Sequence, residues 1–163
     1  MTAPAEKRSA PRAPKEQRHR AREAAIQMLY QWEVGRLSVP DVADSFWRIG
    51  DTPAVLPERV RERASALVRG TVERVGEIDP IIEAQSANWR LDRMPVVDRL
   101  VLRLAIFEML HEPSTPSAVV IDEALELARR FSAEEAVAFI NGVLDGVKRR
   151  IESGELTADR TPS

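Results

Sequence analysis

The sequence predicts an all-α protein built from seven helices. Apolar residues recur at the three- and four-residue spacing of an amphipathic helix, and no segment alternates apolar and polar residues as a half-buried strand does. Only 7 of the 163 residues are glycine, and the 11 prolines fall mainly at predicted helix boundaries. A chain of this length can bury one hydrophobic core, so we expect a single folded domain.

Start and stop signals place the first three helices. The first is predicted over residues 15–34, because Gly35 follows its last apolar position. Ser38 is a favourable capping residue and predicts a second helix over residues 38–49. A third, long helix is predicted over residues 57–77, where a proline occupies the first helical turn.

The remaining four helices follow from proline positions and apolar patterning. An Asp-Pro pair at 79–80 predicts the start of a short fourth helix that ends near residue 88. The fifth, over 95–112, is apolar almost all round, which is typical of a helix at the centre of a bundle. A capping-box pattern at 132–135 predicts the start of the seventh helix, and Gly142 inside it indicates a close approach of another helix. The sixth helix is predicted over 118–131 and the seventh ends near 153.

Charge is distributed unevenly along the chain. The net charge is −2, but residues 1–22 carry +5 and the rest of the chain carries −7. A basic arm on an acidic body is typical of a protein that meets a polyanion through one segment. A disordered basic terminus that only aids solubility is the alternative. We predict a disordered basic arm at 1–14, a folded domain at 15–153 and a disordered tail at 154–163.

Several classes of function are not indicated. The absence of cysteine excludes disulfides, thiolate zinc sites and a cysteine nucleophile. No apolar run approaches the length of a membrane span, and we expect a cytoplasmic protein. No phosphate-binding glycine loop or nucleophile motif occurs, so neither an enzyme nor a cofactor is predicted. The segments 16–19 and 108–111 share the E-x-x-H spacing of di-iron bundles, but Glu16 and His19 should face water, so no metal site is predicted.

Two faces of the first helix have different predicted roles. The core-facing stripe consists of Ala21, Ala24, Ala25, Met28, Leu29 and Trp32. The neighbouring face consists of Lys15, Arg18, Arg22, Ile26 and Tyr30. Cations beside an aromatic residue are suited to a contact surface, and cations that meet phosphates give strongly salt-dependent attachment. Burial of Ile26 and Tyr30 against a second neighbouring helix is the alternative.

Charged residues on the fifth and sixth helices are expected to be structural. Arg99 and Arg103 lie one turn apart on an otherwise apolar helix, and we expect buried ion pairs with acids such as Glu123 or Glu126. An interface role for the two arginines remains open. Asp122, Glu123 and Glu126 spread around the sixth helix instead of meeting as an acid–base pair, which indicates a solvated face.

Four segments carry a resemblance to a known family. They are RAREAAIQMLYQWEVG (20–35), NWRLDRMPVVDRLVLRLAIFEML (88–110), AVVIDEALELARRF (118–131) and FINGVLDGV (139–147). In this order and at these separations they resemble the NusB family of bacterial transcription antitermination factors. The resemblance implies two packed helical sub-bundles and no catalytic activity. It also implies binding of single-stranded boxA RNA from ribosomal RNA leaders, together with NusE, a small-subunit ribosomal protein.

The resemblance also implies particular contact residues. It implies an RNA-binding set of Arg18, His19, Arg20, Arg22, Glu134, Glu135 and Phe139, to which the cationic face of the first helix adds Lys15. The NusE-binding set comprises Tyr30 and Asp98. Phe139 would be a stacking plane for a base, although its helical spacing from Ile140 and Val143 equally suits a core position.

The expected function is therefore an RNA-binding adaptor in the RNA polymerase antitermination complex that supports transcription of ribosomal RNA. One alternative is a helical protein scaffold, for example a homodimer that covers its own RNA surface. Another is a NusB-like RNA-binding module of a ribosomal RNA methyltransferase. Salt-dependent RNA affinity separates the adaptor from the scaffold, because a scaffold has no phosphate contacts to lose.

Overall fold

The computed structural model describes residues 13–49, 56–86 and 89–159, and within these ranges all regular secondary structure is helical. A single 3₁₀ turn, Leu91–Arg93, precedes the fifth helix. The helices are α1 Ala13–Gly35, α2 Val39–Ile49, α3 Glu58–Glu73, α4 Val75–Gln85, α5 Val96–His111, α6 Ser117–Phe131 and α7 Glu134–Glu152.

The helices form two sub-bundles that meet on α5. Helices α1, α2 and α3 pack together on one side, and α4, α6 and α7 surround α5 on the other. Helix α5 also contacts α1 and α3, and its residues 101–110 are all buried. The predicted all-α fold with a central fifth helix is therefore confirmed.

The boundary between α3 and α4 differs from the predicted one. Helix α3 ends at Glu73, and α4 begins at Val75, so Pro80 lies inside α4 rather than at its start. The missing N–H of Pro80 leaves the Gly76 carbonyl without its usual helical donor. Burial of Ile78, Ile81 and Ile82 on one face of α4 compensates, because that face continues across the proline.

The start of α7 also differs from the sequence prediction. Ala133, not Ser132, is the residue that precedes the first turn, and no side chain caps α7. The Ser132 hydroxyl instead donates a hydrogen bond to Oδ1 of Asp98 on α5. The predicted capping box is therefore wrong, since the serine is already used to join α7 to the buried helix.

Residues 154–159 fold back on the bundle, unlike the disordered tail that the sequence predicts there. Leu156 packs against the core. The Asp159 amide donates to the Leu110 carbonyl at 2.6 Å, and its carboxylate lies 2.6 Å from Nδ1 of His111. Residues 1–12 of the predicted basic arm and residues 160–163 lie outside the described residues, whereas residues 13 and 14 begin α1.

Close helix approaches occur at two glycines, and neither is the predicted one. A Cβ added at Gly70 would lie 2.2 Å from the Phe107 ring, and one at Gly146 would lie 1.9 Å from the Gln85 amide. A Cβ at Gly142 would meet no atom of the described residues within 4 Å. The expectation of a close approach at Gly142 is therefore wrong.

Candidate nucleic-acid interface

The first turns of α1 present three cations to solvent. Lys15, Arg18 and Arg20 are exposed, and Nη2 of Arg20 lies 3.8 Å from a carboxylate oxygen of Glu16, one turn earlier. Such an exposed pair contributes little to stability and is easily exchanged for another anion. These three side chains are available at the surface where the sequence places them.

Arg22 continues the cationic run but points into the protein. Its side chain is 3% exposed, and that of Glu108 on α5 is 1% exposed. Nε donates to Oε2 of Glu108 at 2.8 Å, and Nη2 donates to Oε1 at 2.7 Å. Burial alone would lower the pKa of Arg22, but the hydrogen bonds to Glu108 and the charges of Glu108 and Glu123 outweigh it and raise the pKa. Arg22 therefore joins α1 to α5 and is not brought to the surface, contrary to the prediction.

His19 lies between carboxylates rather than facing open water. Its Nδ1 is 2.7 Å from Oε2 of Glu123 on α6, and its Nε2 is 3.7 Å from Oε1 of Glu23. Glu123 is buried, so the solvated face predicted for the sixth helix holds only for Asp122 and Glu126. His19 is still partly exposed, at 34% of its side-chain surface, and lies at the edge of the cationic surface.

A groove of about 1070 Å³ runs between α1 and α6. Lys15, Arg18 and Arg129 line it, together with the acidic residues Asp122 and Glu126. Cations outnumber carboxylates on its α1 edge, where Glu16 is the acidic residue, and carboxylates outnumber cations on its α6 edge, where Arg129 is the basic one. An extended polyanion would lie along the α1 edge, because the net negative charge of the α6 edge repels phosphate.

A second group of predicted residues lies at the start of α7. Glu134 and Glu135 are exposed in its first turn. Phe139 is partly buried and packs against the core, as its spacing from Ile140 and Val143 allowed, and its role as a stacking plane stays a prediction. Beside it lies Trp89, which is 52% exposed, with ring centroids 6.2 Å apart and planes tilted by 58°.

Sequence reasoning missed Trp89 as a site residue. The two aromatic rings and Gly142 line a groove of about 340 Å³ between the end of α4 and the middle of α7. An exposed tryptophan is costly to leave in water, and a flat apolar ring beside a second ring suits a nucleobase. The sequence feature that could have identified Trp89 is its position in a short polar connection between helices, immediately before Arg90.

The two residues predicted to bind the partner differ in exposure. Tyr30 is 45% exposed, Val34 one helical turn later is 50% exposed, and Leu37 just after the helix is 40% exposed; we call these three residues the apolar patch. Asp98 is only 5% exposed and accepts the hydroxyl of Ser132. The alternative of burial by a second neighbour therefore holds for Ile26, which is buried, but not for Tyr30.

The far end of α1 is held by arginines of α5. Arg103 binds both carboxylate oxygens of Asp79 at 2.8 and 2.9 Å and also Glu33 at 2.7 Å. Arg99 donates to the Leu91 carbonyl at 3.1 Å and to Glu33 at 3.5 Å. The buried ion pairs were predicted, but with the wrong acids: Glu33 and Asp79 take the place of Glu123 and Glu126.

The two E-x-x-H segments supply structural contacts. Glu108 pairs with Arg22, and His111 lies 3.1 Å from Glu77 and 2.6 Å from Asp159. Over 13–49, 56–86 and 89–159, no group of three His, Asp or Glu side chains is arranged to hold a metal ion. Within the same ranges, no helix combines the length and apolar character needed to cross a bilayer.

Comparison with known proteins bears on both the fold and the interface. The model of the NusB family matches residues 19–149. A relative from Sorangium cellulosum, named transcription antitermination protein NusB, is 46% identical over 143 residues, covering 88% of this chain and 98% of its own.

Two solved structures are also similar. The structure of T. maritima NusB aligns with a TM-score of 0.72 and 37% identity, covering 85% of this chain and 97% of the other. A crystal structure of antitermination factors NusB and NusE in complex with dsRNA aligns with a TM-score of 0.71 and 27% identity, covering 82% and 97%.

These matches, together with two helical sub-bundles joined by one buried helix, place the chain in the antitermination-factor class of all-α proteins. The chain belongs to the NusB family. The resemblance seen in its four segments is confirmed.

Proposed function

We propose that this protein is a transcription antitermination factor that binds boxA-type RNA of ribosomal RNA leaders together with NusE. It acts as a cytoplasmic adaptor within the RNA polymerase antitermination complex and catalyses no reaction. The relatives named as antitermination proteins support this proposal, as does the similar solved complex of NusB, NusE and dsRNA.

The exposed cations of α1 carry the proposal. Lys15, Arg18 and Arg20 contact RNA phosphates, and His19 contributes at the edge of the same surface. Phosphate contacts fix the position of the RNA but read little sequence. Arg22 contributes indirectly, because its ion pair with Glu108 holds α1 against α5 and so fixes where Arg18 and Arg20 project.

Base recognition belongs to the start of α7. Phe139 and Trp89 offer ring faces on which unpaired bases stack, which is the usual way to read single-stranded RNA. Glu134 and Glu135 can only accept hydrogen bonds when ionised, so they face base amino groups or ribose hydroxyls rather than phosphates. The RNA path thus has a phosphate-binding end on α1 and a base-binding end on α7.

The NusE site lies on the exposed apolar patch formed by Tyr30, Val34 and Leu37. Aromatic residues within such patches are common anchors of protein interfaces. Asp98 does not contact NusE through its buried carboxylate. It acts as a positioning residue for the RNA site, because its hydrogen bond with Ser132 fixes the start of α7 beside the RNA path. A homodimer through the same patch is the scaffold alternative, and it predicts self-association without RNA affinity.

Binding of a labelled boxA-like RNA, measured by fluorescence anisotropy at two salt concentrations with and without NusE, tests the proposal. We expect binding that weakens steeply with salt and tightens when NusE is added. A duplex of the same sequence and a scrambled single strand are the controls. Absence of RNA binding under every condition, with a dimer in sedimentation, would replace the adaptor with a scaffold.

A further inference from the structure

A second cationic groove, which we call the α1–α3 groove, lies between the start of α1 and the start of α3. It has a volume of about 210 Å³ and is lined by Pro14, Gln17, Arg18, Arg59, Val60 and Arg63. Of the described residues that line it, none is acidic. The groove between α1 and α6 differs, because Glu16 of α1 and three carboxylates of α6 line it.

The arginines of the α1–α3 groove are not equivalent. Arg63 is held by Glu112, with Nη1 2.6 Å from the carboxylate, and lies 3.8 Å from Glu108, so its charge is largely balanced. Arg18 and Arg59 are exposed, and within the described part of the chain neither forms an ion pair. Two uncompensated guanidinium groups therefore face one concave surface.

Arg18 lies between the two grooves and lines both of them. An extended strand bound along the α1 edge of the first groove can therefore enter the second without leaving the protein. The apolar surfaces of Pro14 and Val60 offer contact to ribose or base faces, and the Gln17 amide can both donate and accept hydrogen bonds. These features suit a nucleic-acid backbone better than a protein helix, which would need a wider apolar floor.

Nearby charge also argues for a polyanion as the occupant. Arg18 and Arg59 both present positive charge there, so like charge disfavours a basic segment as the occupant. Glu58 and Glu62 lie on α3 but do not line the groove.

We infer that the α1–α3 groove binds the phosphate backbone of RNA that extends beyond the boxA-like core, with Arg59 as its principal phosphate contact. This inference rests on the proposed function, because it continues the RNA path from Arg18. It adds an RNA-binding residue on α3, which the sequence analysis did not select. It also predicts that the protein protects more RNA than the core segment alone.

The test compares the core RNA with the same RNA extended by a single-stranded flank, first at one end and then at the other. The Arg59→Ala variant should bind one of the extended RNAs several-fold more weakly than wild type, with a salt slope smaller by about one. Its affinity for the core RNA should be unchanged. Arg18→Ala should weaken binding of every RNA, because Arg18 lines both grooves.

Arg69→Ala is the matched control, since it removes the same charge from an exposed position of α3 that does not line the groove. Arg59→Lys should keep the salt slope. Circular dichroism of each variant checks that the bundle is intact. Equal losses in the Arg59→Ala and Arg69→Ala variants, or no loss in either, would overturn the inference while leaving core RNA binding intact. Failure of wild type to bind the core RNA would instead overturn the proposed function, and the inference with it.

Discussion

Arg22 of α1 and Glu108 of α5 form a bidentate ion pair in the interior, with N–O distances of 2.7 and 2.8 Å. This pair divides the run Arg18-His19-Arg20-Ala21-Arg22 into two functions. Arg18 is exposed, and Arg20 is exposed in a weak pair with Glu16 that an external anion can replace, whereas Arg22 holds the helix that carries them.

Removing one partner of this pair should destabilise the protein strongly. Arg22→Ala or Glu108→Ala leaves a buried charge without its counterpart, which typically costs about 3–5 kcal/mol. Urea unfolding followed by circular dichroism measures the change. Arg20→Ala, at an exposed position, should change the free energy of unfolding by less than about 0.5 kcal/mol. Similar losses for Arg20→Ala and Arg22→Ala would show that the two arginines do not have separate roles.

Trp89→Ala should weaken RNA binding without changing its salt dependence. Loss of one stacking ring costs about 1–3 kcal/mol per base, and no phosphate contact is removed. Trp89→Phe should retain most of the affinity, because it keeps an aromatic face. Anisotropy titrations at several salt concentrations measure both quantities. A smaller salt slope for Trp89→Ala would mean that the substitution also disturbs phosphate contacts, which would contradict a pure stacking role. Unchanged affinity would show that Trp89 does not contact the RNA.

Two glycines inside helices should respond oppositely to alanine. Gly142→Ala should stabilise the protein by up to about 1 kcal/mol, because the methyl group meets no described residue within 4 Å and alanine favours the helix. Gly70→Ala should destabilise it, because the methyl group would overlap the Phe107 ring between α3 and α5. Thermal unfolding of both variants checks the signs. Destabilisation by Gly142→Ala would indicate a contact at that site that the described residues do not contain.

Tyr30→Ala should weaken NusE binding while leaving the fold unchanged. Tyr30 is exposed within the apolar patch, and truncating such an anchor commonly costs more than about 1 kcal/mol of binding energy. Ser132→Ala is the contrasting variant. It leaves the Asp98 carboxylate buried without its hydroxyl donor, which costs about 1–3 kcal/mol of stability. Calorimetric titration with NusE, together with urea unfolding, separates the two effects, and normal NusE affinity for Tyr30→Ala would place the partner elsewhere.

The fold was largely predictable because periodicity and boundary residues are local signals. The apolar stripe of α1 and the all-round apolar α5 identified the core directly, and the buried residues agree with them. The start of α4 was wrong because Asp79-Pro80 imitates a helix start, while the isoleucines that hold α4 together lie on both sides of it. Burial of the isoleucines therefore outweighed the local start signal of Asp79-Pro80 in setting where α4 begins.

The candidate site was less predictable because it depends on long-range partners. A helical wheel places Arg22 beside Lys15 and Tyr30, but it cannot show that Glu108 lies opposite Arg22 after folding. For the same reason the predicted ion-pair partner of Arg103 was wrong, since Asp79 comes near Arg103 only through the packing of α4 on α5. Arg59 and Trp89 carry no distinguishing spacing, and only the grooves they line single them out.

The most direct test is the salt dependence of boxA-like RNA binding by wild type and by the Arg18→Ala/Arg20→Ala double variant. With these cations as phosphate contacts, the slope of log affinity against log salt should fall in magnitude by about 1.4 in the variant, with unchanged helical content. A variant that binds RNA with wild-type affinity and slope would contradict the claim that the exposed cations of α1 hold the RNA.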